Sequence, residues 1–422
     1  MTWPKQLTFS IFATLLIFAP LARGAAHGWA QAIVMAGACL LMASLLLEHY
    51  LSGAAIMPPM ILRWPFLALT ALFILSFSCS PARGDGLEAL ALLAVYAILF
   101  IAAAHLSANR SGQRQVVYLL IGIATVVALI SLLKRFSPQF LPIWWQYDAH
   151  GGVMAAGPYG NHNHLAGLLE MIIPLSLGLF LTKTRRGVTI FLLVYLAVLL
   201  VATHILTLSR GGWFSLSVAL ATMLIALLSQ RRFTRKKLLL VLSGGLALVF
   251  LFILGGTHIV ERLLTLTDEA TVLDFSGRVI AWKGCLNMIA AHPFLGGGPG
   301  AFATLFPAWQ PPGMAARFFN AHNDYLQYTA EFGLFVMVII IWAIFLLVRQ
   351  VILLATNPSR QIWGISLGAG IGILTIILHS FVDFNLHIPA NAMVFSTLLG
   401  LLMSAGQKRT ETKNYSDAPP IS

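Results

Sequence analysis

A polar cluster at residues 320–324 brings together side chains that can perform acid–base chemistry. It consists of Asn320, His322, Asn323 and Asp324 and stands directly before a long apolar run. A histidine is a base that titrates near neutral pH, and a neighbouring carboxylate can orient it. The alternative role is structural, because Asn and Asp also cap the N-termini of helices. Such a cluster is unusual here, since only 9% of the 422 residues are charged.

The composition indicates a multi-pass membrane protein. Hydrophobic residues make up 59% of the chain, whereas a soluble protein of this size carries about 25% charged residues. The apolar runs are long enough for transmembrane helices and lack the short alternating pattern of a β-barrel. We therefore predict an all-α fold, a transmembrane helical bundle of about 12 spans. The predicted spans lie near 7–22, 28–47, 63–80, 87–105, 115–134, 163–182, 188–207, 212–229, 238–256, 325–348, 361–381 and 387–404.

The basic residues predict the orientation of the chain. With the N-terminus inside, 17 of the 26 Lys and Arg residues fall on the inner side, five of them at 231–237. Cytoplasmic loops of membrane proteins are enriched in these residues, so we expect both termini in the cytoplasm. The net charge of +12 then reflects topology and contact with anionic membrane lipids, and it does not indicate a nucleic-acid partner.

The same topology divides the chain into a membrane domain and a tail. Residues 1–406 form the predicted membrane domain, which includes a long and mainly helical outer loop at 257–323. Within that loop, residues 276–291 are predicted to form a helix on the surface, with Trp282 and Met288 facing lipid. The polar segment 407–422 is expected to be a disordered cytoplasmic tail.

Five polar clusters fall on the outer side of this predicted bundle. They are residues 320–324, Asn161 to His164, Arg210, Arg278, and the segment from His379 to His387. Arg210 stands in a very short turn between two spans. An arginine at membrane depth is costly and marks a partner or a substrate, although its long side chain can also reach the lipid headgroups. The common side of all five clusters favours a shared function.

Two features of these clusters have more than one explanation. Asp383 could pair with Arg210 or His379, or it could support His322 in place of Asp324. His162 and His164 could suggest a metal, but residues two apart point to different faces of a helix. No cysteine or carboxylate completes a set of ligands around them, so we expect no metal site.

Several segments occur in a fixed order that matches a known family. They read PYGNHNHLA at 158–166, LSRGGW at 208–213, RVIAW at 278–282 with HPFLGGG at 292–298, and AHNDYLQ at 321–327. Together they resemble the bacterial O-antigen ligase and O-antigen polymerase superfamily over about residues 155–390. The sequence HSFVDFN at 379–385 resembles the ligase-like branch, a label that covers both ligases and polymerases.

The resemblance implies a glycosyltransferase of the hexosyltransferase type that needs neither metal nor cofactor. It implies a location in the bacterial inner membrane with the active site facing the periplasm. The donor would be a glycan on undecaprenyl diphosphate, and the acceptor a sugar hydroxyl of lipid A–core or of a growing glycan. The essential residues of the family correspond to Arg210, Arg278 and His322. Residues expected to bind substrate or to support these are Asn161, Asn163, Asn323, Asp324 and Asp383.

The chemistry of such a transfer suits these residue types. Without a metal, a leaving diphosphate needs fixed cations, and the guanidinium fork of arginine matches phosphate oxygens. The acceptor hydroxyl must lose its proton, which a histidine can accept. A transporter is the alternative of another class, because Glu170 and Glu331 lie within predicted spans. A transporter would gather its polar residues at the midplane, whereas here they gather at one face.

Overall fold

The computed structural model describes residues 3–53, 61–142, 145, 154–182, 188–228, 269–311 and 317–416. These residues form helices and short turns, with no strand among them. The helices are α1 (Trp3–Leu21), α2 (Gly28–Ser52), α3 (Arg63–Cys79), α4 (Arg83–Leu106), α5 (Arg110–Phe136), α6 (His162–Thr182), α7 (Val188–Leu206), α8 (Arg210–Leu228), α9 (Glu269–Ala291), α10 (Phe302–Leu305), α11 (Asp324–Phe332), α12 (Phe335–Ala355), α13 (Arg360–His379) and α14 (Pro389–Ser416).

The predicted all-α membrane bundle is confirmed. Eight of the described helices are long and apolar enough to cross a membrane: α1, α2, α4, α5, α6, α8, α12 and α13. Three shorter apolar helices lie at Arg63–Cys79, Leu192–Leu206 and Pro389–Ala405. The span predicted at 238–256 and the basic loop at 231–237 lie outside the described residues. The total number of spans therefore stays a prediction.

Helices α6 and α13 form the centre of the bundle. Of their spanning segments, 89% and 78% are buried, compared with 17% for the peripheral α12. Glycines bring the two backbones together, since a Cβ atom on Gly178 would lie 2.2 Å from the carbonyl oxygen of Gly364. Small residues permit such close approach between helices in a membrane. The pair supports the polar residues that lie where α6 begins and α13 ends.

The prediction of one continuous span at 325–348 is wrong. The chain forms the short helix α11, breaks at Gly333 and begins the long helix α12 at Phe335. Gly333 has a φ of +75°, and a Cβ atom there would lie 2.2 Å from the carbonyl oxygen of Phe294. The break thus lets the segment HPFLGGG dock against the end of α11. Only the second helix has the length of a membrane span.

The described residues between α9 and α11 fold back onto α9, which was predicted to lie on the lipid surface. Helix α9 covers the predicted helical region, but Met288 is only 2% exposed and packs in a cluster with Phe302, Phe306 and Ala321. The Trp282 indole donates a hydrogen bond to the carbonyl oxygen of Ala321 at 3.0 Å. The expectation that Met288 faces lipid is therefore wrong. The chain that returns from α9 toward His322 covers this face of the helix.

Candidate active site

The site is built around the loop that connects α13 to α14, residues 380–388, hereafter the connecting loop. Two residues at the start of α11 are bound to it. The backbone N–H of Asp324 donates to the carbonyl oxygen of Ser380 at 2.9 Å, and Asn323 Nδ2 donates to the carbonyl oxygen of Phe381 at 2.9 Å. These bonds hold residues 323–324 against the outer end of α13, although the two segments are far apart in sequence.

His322 is held in a strained and partly exposed position. Its φ is +51°, a left-handed conformation that is unusual for a residue other than glycine and costs ~1–3 kcal/mol. The flanking Ala321 is fixed on both sides, because its N–H donates to Gln327 Oε1 at 2.9 Å and its carbonyl oxygen accepts from Trp282. The His322 side chain remains 34% exposed. A fixed but accessible imidazole is what a catalytic base requires.

Asp383 is the carboxylate beside His322. Its Oδ1 atom lies 3.7 Å from His322 Nδ1, and its side chain is 2% exposed. Burial alone would raise the pKa of Asp383, but the interaction with His322 and the nearby imidazoles of His164 and His379 hold it well below its usual range. Asp383 is therefore ionised, and it presents a negative charge to Nδ1 of His322.

Asp324, the other candidate carboxylate, binds the connecting loop. Its oxygens accept hydrogen bonds from the hydroxyl of Ser380 at 2.7 Å and the N–H of Leu386 at 3.2 Å, and Oδ1 lies 2.5 Å from His387 Nδ1. Burial lowers the pKa of His387, but the bond with Asp324 outweighs this and raises it above the usual value. Asn323 caps α11, as its Oδ1 accepts from the N–H of Leu326 at 3.0 Å.

Arg278 contacts Val382, the neighbour of Asp383, and the residue after Arg210 packs against the same valine. Arg278 in α9 donates from Nη1 to the carbonyl oxygen of Val382 at 3.1 Å. Arg210 is the first residue of α8, and a Cβ atom on the next residue, Gly211, would lie 2.7 Å from the Val382 side chain. The start of a helix also exposes N–H groups and a partial positive charge. The connecting loop thus contacts Arg278 and the start of α8, and it carries Asp383 beside His322.

One comparison with known families finds a match. Residues 195–341 match the model of the family described as O-antigen ligase. That segment, about a third of the chain, is similar to the family. The superfamily predicted from the motifs is confirmed, and the match indicates a membrane glycosyltransferase-like enzyme with lipid-linked glycan substrates. No match is found among curated proteins. The matched segment contains Arg210, Arg278 and His322, while the connecting loop lies beyond its end.

The segment before the matched residues contributes His164, which the sequence analysis counted in a polar cluster and weighed as a metal ligand. His164 is 8% exposed, and its ring meets the edge of Phe384 with centroids 4.8 Å apart. His322 contacts the same ring at 4.8 Å. Asn161 makes a local turn at the start of α6, where its Oδ1 accepts from the N–H of Asn163 at 2.8 Å.

Sequence reasoning also missed a role for the pair formed by Glu170 and His379. Glu170 Oε1 lies 2.8 Å from His379 Nδ1, and both side chains are almost completely buried. The residues are 209 positions apart, so no local pattern could have joined them.

Among the described residues, no group of three or more His, Cys, Asp or Glu side chains is arranged to hold a metal ion.

Proposed function

We propose that the protein transfers a glycan from undecaprenyl diphosphate to an acceptor sugar hydroxyl at the periplasmic face, as an O-antigen ligase acting on lipid A–core. The observation that carries the proposal is the meeting of a partly exposed histidine, a buried carboxylate, Arg278 and the helix start that bears Arg210 at one loop. The O-antigen ligase match supports the reaction class.

Arg210 and Arg278 bind the diphosphate in this proposal. Charge accumulates on the diphosphate as its bond to the sugar breaks, and preorganised cations stabilise that charge most when water is excluded. Arginine supplies two parallel N–H groups to a phosphate. Arg210 begins a membrane-spanning helix, which suits a phosphate group whose lipid tail lies in the bilayer.

His322 acts as the general base. With Nδ1 facing the ionised Asp383, the favoured tautomer carries its proton on Nδ1 and leaves Nε2 free to accept one. The separation of 3.7 Å is longer than a hydrogen bond, as is common for catalytic contacts without substrate. The acceptor oxygen bonds to the anomeric carbon, and its proton passes to Nε2. The bond to the diphosphate oxygen breaks, and that electron pair leaves with the diphosphate. A single displacement inverts the anomeric centre.

The orientation of the membrane domain belongs to the same proposal. The charge distribution puts both termini and residues 231–237 in the cytoplasm and His322 in the periplasm. Reporter fusions after Lys237 and after Gln310 test this, with periplasmic activity expected only for the second. Equal periplasmic activity at both positions would overturn the orientation.

The function is tested with a deletion strain and with purified protein. A ligase predicts that the deletion strain accumulates unligated, lipid-linked polymer, whereas a polymerase of the same superfamily predicts single capped repeats. The purified protein should release undecaprenyl diphosphate from a lipid-linked glycan when acceptor is added, and should keep this activity in a strong chelator. Movement of a solute across vesicles without this release would support the transporter instead.

A further inference from the structure

Three helices meet at Glu170, in a polar cluster that the proposed chemistry does not use directly. Glu170 lies in α6, and its Oε1 is 2.8 Å from Nδ1 of His379 at the end of α13. Ser215 in α8 donates its hydroxyl to Glu170 Oε2 at 2.8 Å. Glu170 is 0% exposed and His379 is 1% exposed. The two residues therefore form a buried hydrogen-bonded pair next to the connecting loop.

The other side of the His379 ring faces the site. Its Nε2 atom lies 4.0 Å from Asp383 Oδ2, and the opposite carboxylate oxygen of Asp383 lies 3.7 Å from His322. A neutral imidazole has only one N–H, but both nitrogens of His379 face carboxylates. One nitrogen is within hydrogen-bond distance of Glu170, and the other is 4.0 Å from Asp383, so the ring lies between the two carboxyl groups.

The same ring also supports the start of α8. A Cβ atom on Gly211 would lie 3.0 Å from His379 Nε2, so the backbone beside Arg210 packs directly on the imidazole. His379 therefore lies against two parts of the site. One is Asp383 beside His322, and the other is the start of α8, which carries Arg210.

We propose that Glu170 and His379 are a positioning pair for the transfer reaction. The pair fixes the Asp383 carboxylate beside His322 and holds the start of α8 in place. This inference rests on the proposed function and adds residues outside the matched O-antigen ligase segment. Neither residue touches the substrate, so both act through Asp383, His322 and Arg210.

The test is the kinetics of Glu170→Gln in the purified, full-length protein. The probe is an undecaprenyl-diphosphate-linked glycan, and the measured product is undecaprenyl diphosphate. We expect kcat to fall on the order of 10–100-fold, as for other groups that orient a reacting residue, with little change in KM for the donor. Ser215→Ala, which removes only the hydroxyl, should show the same pattern with a smaller decrease.

A matched control comes from the pair Glu48 and His105, whose atoms lie 2.9 Å apart at the other end of the bundle. Glu48→Gln should leave kcat unchanged. Adding Glu170→Gln to His322→Gln should cause a smaller loss than Glu170→Gln causes in the parent, because the part of the effect that passes through the base is already lost. An unchanged kcat for Glu170→Gln, or a loss of activity that only follows a loss of thermal stability, would overturn the proposal. If the parent protein releases no undecaprenyl diphosphate, the proposed function fails, and this inference fails with it.

Discussion

Two buried pairs of glutamate and histidine have nearly the same geometry and different surroundings. His105 Nε2 lies 2.9 Å from Glu48 Oε1, and the Thr8 hydroxyl donates to the other carboxylate oxygen at 3.2 Å. His379 Nδ1 lies 2.8 Å from Glu170 Oε1, and a serine hydroxyl donates to the other oxygen at 2.8 Å. Each pair therefore satisfies one buried carboxylate with one imidazole and one hydroxyl.

The two pairs lie at opposite ends of the bundle. Near the end of α4, where His105 lies, Phe100 and Ala103 pack against Gly400 of α14. Gly400 is roughly 16 Å along that helix from Pro389, which follows the connecting loop. The Glu48 pair is thus distant from His322, whereas the Glu170 pair lies directly beneath it.

The decisive difference is what the second ring nitrogen faces. Within the part of the chain that the structure describes, the His105 side chain pairs with Glu48 alone. His379 faces a second carboxylate, Asp383, and packs on Gly211. A buried ion pair by itself is weak evidence even for stability. From the comparison we infer that a pair affects catalysis when one of its residues also contacts groups at the site, as His379 does.

The largest expected effect in this comparison is at His322. His322→Gln keeps a hydrogen-bonding side chain but cannot accept a proton, so the transfer rate should fall by ~10²–10⁴ while the donor still binds. Initial rates of transfer and binding of the lipid-linked donor, measured on the same preparation, test this. Normal transfer by His322→Gln would show that His322 is not the general base. The proposed role of Glu170 and His379 would then be wrong as well.

The arginines are expected to show the next largest effect. Arg278→Lys and Arg210→Lys keep a positive charge but lose the planar fork. Each should reduce transfer by up to ~10²–10³, the usual effect of removing one such donor. The measurement is the release of undecaprenyl diphosphate at saturating acceptor. Arg63→Lys provides a control. Arg63 lies at the start of α3, and its Cζ atom is 5.4 Å from the centre of the Trp64 ring. Full activity of both test variants would indicate that the arginines serve only to contact lipid.

The sequence alone could predict the helical bundle because each span is a contiguous apolar run. Short motifs also named Arg210, Arg278 and His322 as candidate site residues, and their roles stay predictions. The break at Gly333 was missed, because the apolar pattern continues across it and only the docking of residues 292–298 requires it. For a similar reason, the sequence could not decide whether Asp324 or Asp383 supports His322. Asp324 adjoins His322 in sequence, yet its oxygens bind the connecting loop, and Asp383 lies closer to the base in space.

A smaller effect should separate these two carboxylates. Asp383→Asn removes the charge beside His322 and should lower kcat by on the order of 10–100-fold. Asp324→Asn weakens the bonds to Ser380 and His387 and should lower the thermal stability more than it lowers kcat. Combining each change with His322→Gln distinguishes them, because a residue acting through the base loses its effect in that background. Equal kcat losses for both single variants would contradict the assignment of Asp383.

The smallest effect on activity is expected at the pair formed by Glu48 and His105. His105→Gln removes the imidazole that pairs with Glu48 and leaves a buried carboxylate with weaker compensation, so the protein should unfold at a lower temperature. The kcat should stay at the parent value, because the pair has no contact leading to the connecting loop. Thermal unfolding and the release of undecaprenyl diphosphate, measured on the same preparation, test both statements. A fall in kcat with unchanged thermal stability would show that the two ends of the bundle are coupled. The position of a buried pair would then be no guide to its role, and the contrast drawn between Glu48 and Glu170 would be wrong.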